Sequence, residues 1–218
     1  MTDTPTIAVR GEAIVDVDAE AAEFTASVEV HEAERLAALQ RVTERVAVVR
    51  AALDQFPDAI ERHATSHVSA SAEKHHHTGE VSFHGNATTT VVMSDLDAVG
   101  DVMLAVGSLA EVSVWGPSWS VRPASPVHRE VRHAAISDAI ARARDYAAAL
   151  GADIVGLVEL SDVGLSRSGE PRAVPLSMSA SAAGSPRLDL DPQRLQVRAS
   201  IEARFTISEP TILAAPID

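Results

Sequence analysis

Six of the nine histidines of this 218-residue chain lie between His63 and His84: His63, His67, His75, His76, His77 and His84. Imidazole ligates first-row transition metals and changes charge near neutral pH, so such a cluster implies a metal site or a pH-responsive surface. The stretch reads as two strands joined by a turn at Glu73–Gly79. On a strand His63 and His67 share a face about 13 Å apart, at about 3.3 Å per residue, too far to hold one ion together. His75 and His77 are alternate members of the turn and can point together, while His84 returns toward them and Glu73 or Glu80 can add a carboxylate. His75, His77 and His84 are therefore the candidate metal ligands, with zinc or nickel as the ion. The plainer reading is a solvated histidine turn, because a structural zinc site closes with four ligands and histidine runs bind metal adventitiously.

Other chemistry is thinly represented. The chain has no cysteine, which excludes disulfides, thiolate nucleophiles and cysteine-ligated zinc or iron–sulfur clusters. Serines are numerous, but none stands in a G-x-S-x-G elbow, and Ser166, Ser177, Ser179 and Ser181 fall in an irregular stretch with no rigid base beside them. The acid pairs Asp16/Asp18 and Asp189/Asp191 have general acid–base spacing if extended, yet read as solvated surface. Gly107, Gly116, Gly151 and Gly156 have no phosphate-cradling spacing and read as caps and turns. Trp115 and Trp119 share strand parity and are expected in the core. No catalytic residue and no resident cofactor emerges from the motifs.

The elements that would position these residues are plain from periodicity. Ile7–Val17 and Phe24–Val30 alternate as strands, with mid-strand Gly11 suited to a close backbone approach and Asp18–Ala21 short enough for a hairpin turn. Leu36, Leu39, Val42, Val46, Val49 and Leu53 step by threes and fours along a core-facing helix from Glu34. Ile60–Ala72 and Val81–Met93 form a second strand pair. Ser94 and Asp97 have capping-box spacing ahead of a short helix ending at Gly107. Val112–Val121 is a strand interrupted by Gly116-Pro117. Ser125 and Pro126 open the longest helix, whose alanine face, Ala135, Ala139, Ala143 and Ala147, implies close packing before Leu150-Gly151. Ile154–Leu160 and the alternating Val197–Ile207 are strands, separated by an aperiodic Ser-, Ala-, Pro- and Gly-rich stretch that reads as a flexible arm, residues 161–192.

In this order the chain resembles the SIMPL-domain family, whose members are largely of unknown function. Val9-Arg10-Gly11-Glu12-Ala13-Ile14-Val15 is similar to the family's glycine-containing first hairpin, and Leu96-Asp97-Ala98-Val99-Gly100 to its second-helix start. Ala134–Gly151 is similar to its long alanine-rich helix, and Val197–Phe205 to its closing strand. The resemblance implies an α+β fold, an antiparallel or mixed sheet of hairpin–helix units packed by three helices, over one domain of about residues 6–208. It also implies self-association through extended strands and brings no catalytic residues.

Composition narrows the partners. Apolar residues make up 46% of the chain but aromatics only 3%, so the core must rest on Val, Ala, Leu and Ile in thin layers. A formal charge of −13, from 31 acidic against 18 basic residues, repels phosphate backbones and argues against nucleic acid. No run approaches the ~20 apolar residues of a membrane span, and the start Met1–Pro5 has no signal-peptide pattern, so the expectation is a soluble cytoplasmic chain. The function expected is non-enzymatic: a homo-oligomeric scaffold or stress-related accessory factor. The alternative is a small-ligand or metal-binding module using the histidine-rich turn 63–84, and a third reading is an enzyme whose site leaves no motif.

Overall fold

The structure is a computed structural model that describes residues 4–74, 80–162 and 190–212. It is α+β, and the described residues form three helices and seven strands in two antiparallel sheets. The chain divides into two compact units.

One unit holds β2 (Ala21–Glu32), α1 (Arg35–Leu53), β3 (Ile60–Lys74), β4 (Val81–Met93), α2 (Val99–Gly107) and β5 (Val112–Ser120). Its sheet runs β3-β4-β2-β5, with β2 antiparallel to both neighbours. Phe24, Ala26, Val28 and Val30 of β2 alternate onto one face, as their spacing predicts, and Ala87, Val91 and Met93 join them from β4. Val42, Val49 and Leu53 of α1 and Val99, Val102 and Val106 of α2 close this core, all essentially inaccessible to water. Gly85 is what lets α1 lie so low: a Cβ there would stand 2.7 Å from Val42 Cγ2 and 2.8 Å from Val30 Cγ2.

The other unit holds β1 (Thr6–Val17), α3 (Val127–Ala149), β6 (Ile154–Asp162) and β7 (Leu195–Ile207), in the sheet order β1-β7-β6. Ala135, Ala139, Ala143 and Ala147 of α3 are all buried. The first three pack with Val9, Ile201, Ala203 and Phe205, so the alanine face approaches its sheet as expected. Gly11 is the point of closest approach, where an added Cβ would collide with the Ala135 carbonyl oxygen and stand 2.7 Å from Ala139 Cβ. Asp138 ties the same contact, accepting the Glu12 N–H at 2.9 Å and Arg142 Nε at 2.9 Å.

Several expectations are corrected. β1 and β2 do not form a hairpin; they belong to different sheets. A short turn permits pairing but does not compel it: the inward face of β1 is matched by the alanine face of α3, whereas β2 has long complementary neighbours in β4 and β5. Leu36 is 65% exposed, because the buried face of α1 runs through Ala38 and Val42 and leaves the first turn outside. The Ser94–Asp97 capping box does not form: α2 has no side-chain cap, Asp95 holds the turn ahead of it by accepting the N–H groups of Asp97 at 3.0 Å and Ala98 at 3.4 Å, and Ser94 Oγ donates to Ala59 O. Trp115 is 69% exposed although Trp119 packs against the core. The register slips between the Thr25–Trp115 and Glu23–Ser118 pairs, so β5 carries one extra residue and its two tryptophans emerge on opposite faces.

Two outcomes check this packing. Gly11→Ala lowers stability by about 1–3 kcal/mol, the usual cost of overpacking, and shifts the urea midpoint down; an unchanged midpoint would mean α3 sits farther from β1. In acrylamide quenching, Trp115→Phe removes the readily quenched emission and Trp119→Phe leaves it, whereas equal quenching of both variants contradicts the slipped register.

Candidate functional site

Strand register, rather than sequence proximity, decides which histidines meet. Between the Thr65–Thr89 and His67–Thr88 pairs β3 carries one extra residue, so the parity of the strand reverses. His63, opposite buried Val91, lies on the helix-covered face of the sheet, and His67 lies on the outer face. The expectation that these two share a face is overturned by that bulge. His75 and His77 lie outside the described residues, as do His76, Ser166, Ser177, Ser179, Ser181 and Asp189. Asp18 ion-pairs at the surface with Arg194 at 3.2 Å.

His84 is on the outer face, and its cross-strand partner is His31 of β2. The ring centroids stand 4.8 Å apart at an interplanar angle of 34°. On the opposite flank of β4, Ser71 of β3 pairs with His84 and Glu73 with Ser82, so Glu73 shares the outer face. Its Oε2 reaches to 3.7 Å from His31 Nε2. Three adjacent strands thus bring two imidazoles and one carboxylate into one surface cluster, open to water: the His31 and Glu73 side chains are 59% and 55% exposed. Beside it, His31, Glu32, Glu80 and Ser82 border a surface depression of about 690 Å³. His31 escapes a reading of the sequence because it stands far from the histidine cluster in the chain. The only available signal is its place on the polar parity of β2, together with the sheet order that puts β2 beside β4.

The second unit presents a different surface. A depression of about 430 Å³ on its sheet is lined by Arg10, Glu159, Glu202 and Arg204. Arg10 pairs with Glu202 at 3.1 Å and Arg204 with Glu159 at 3.9 Å, so the charges neutralise one another across the strands. Exposed pairs of this kind contribute little to stability, about 0–1 kcal/mol, and offer no single charge to an incoming ligand. Among the described residues, no three His, Asp or Glu side chains are arranged to close around a metal ion, and no helix is long and apolar enough to cross a membrane.

The sheets and helices define an α+β protein, and the model of the SIMPL family, described as proteins of unknown function (DUF541), matches residues 7–205. The chain belongs to the SIMPL family. No curated protein matches it.

Proposed function

We propose that this SIMPL-domain protein is a non-enzymatic scaffold that assembles with further copies of itself through the edge strand β6. The observation that carries this reading is the apolar exposure of that strand: Val155 is 69% exposed, Leu157 58%, Val158 53% and Leu160 46%. An edge strand offers unpaired backbone groups to another chain, and natural edges are normally blunted by charge, proline or brevity. β6 is nine residues long without proline. Its two bulges push out Val155 and Val158 rather than polar side chains.

The chemistry of the strand favours its own copy as the occupant. Its charges, Glu159 and Asp162, are both acidic and both lie in its second half. Antiparallel pairing of two β6 strands about Val158 sets Glu159 against Leu157 and Asp162 against Ile154, keeping like charges apart. That contact is isologous and joins two three-stranded sheets into one. Leu157 and Leu160 pair with Phe205 and Ala203, on the face of the sheet that carries α3, and Leu157 lines a groove of about 520 Å³ with Ile140 and Phe205. A second copy brings its own leucines toward that groove.

Light scattering after size-exclusion chromatography tests this. The expected result is an oligomer whose mass is unchanged by chelator, and a monomer in the Leu157→Glu/Leu160→Glu double variant with native circular dichroism. Wild-type protein that remains monomeric at micromolar concentration overturns the proposal.

A further inference from the structure

The geometry points to a surface site for one divalent first-row transition metal ion, held by the imidazoles of His31 and His84 with Glu73 as positioning residue. An imidazole nitrogen about 2.1 Å from the metal puts the ring centroid about 3.2 Å from it, so two rings meeting one ion at 90–110° have centroids about 4.5–5.2 Å apart. The observed separation is 4.8 Å. The spacing is fixed by the backbone, since His31 and His84 are directly opposed in the antiparallel β2–β4 ladder and their strands are interior to the sheet, each paired on both sides.

The rings are tilted by 34° rather than aimed at a common point, so binding requires rotation about their side-chain torsions. Exposure of His31 leaves that rotation open to it. Two imidazoles with water in the remaining positions suit copper(II) and nickel(II), whose affinity for nitrogen ligands exceeds or rivals that of zinc. Glu73 contributes negative charge beside His31 and a carboxylate to receive its second ring N–H, as carboxylates commonly do for metal-bound histidines. His63 takes no part because it lies on the helix-covered face, and His67, on the outer face, pairs with Thr88, four residues along β4 from His84. The site lies in the unit that does not contain β6, so it stands independently of the assembly proposal.

The test uses the full chain carrying His75→Ala, His76→Ala and His77→Ala, which removes metal capture by the histidine run. Calorimetric titration with nickel is expected to give one ion per chain, weakened about tenfold or more by His31→Ala or by His84→Ala and less by Glu73→Gln. Copper(II) electron paramagnetic resonance is expected to report two equatorial nitrogens in the triple variant and one after His31→Ala. Thermal melts of the metal-free variants match the parent, which separates lost ligation from lost folding. A triple variant that binds no nickel, or binding indifferent to both His31→Ala and His84→Ala, overturns the assignment.

Discussion

The structure depends on how near its helices come to its sheets. A chain with 3% aromatic residues cannot fill a thick interlayer, so each unit closes the gap with backbone approach instead of side-chain bulk. In one unit Ala135 and Ala139 of α3 meet Gly11 of β1; in the other, Gly85 sits beneath Val42 and below the Ala38 carbonyl of α1. At both glycines a single methyl group does not fit. These contacts fix the height and track of each helix, and through them which side of each sheet is left for water. The outer face of the four-stranded sheet is left to water because the other face is sealed in this way.

Bulges then distribute side chains between the two faces. One extra residue in β3 sends His67 to the face opposite His63, and one in β5 turns Trp115 outward while Trp119 stays against the core. On β6 two bulges expose valines at positions that alternation would alternate inward and outward. A side-chain period of two makes every such slip a reversal, so a single inserted residue reassigns everything beyond it.

That is why the sequence discloses the elements better than the surfaces. Element identity follows from local periodicity, and β2, β4, α1 and α3 match their predicted spans to within about three residues, because apolar spacing and helix caps are written in the residues themselves. Gly11 and the alanine face of α3 were legible for the same reason. The pairing of β1 with β7 was not, since it joins opposite ends of the chain and competes with a nearer candidate across a short turn. Nor was the meeting of His31 with His84, which needs the β2–β4 register before either residue has a neighbour. Histidine density in the sequence singles out His84 on β4 but gives no sign of His31, which the register sets directly opposite it.

The contrast between the four sheet edges carries the last step. β3 is polar along most of its length, bulged twice, and charged near both ends by Glu61, Arg62, Glu73 and Lys74. β5 is bulged and interrupted by Gly116-Pro117. β1 carries Arg10 and Glu12, and the Glu12 amide is already held by Asp138. Each of these devices makes addition of a further strand unfavourable. β6 has the bulges without the polarity: its irregularities raise the apolar area presented to an incoming strand. Among the described residues, β6 is thus the edge that lacks these devices and presents Val155, Leu157, Val158 and Leu160 instead.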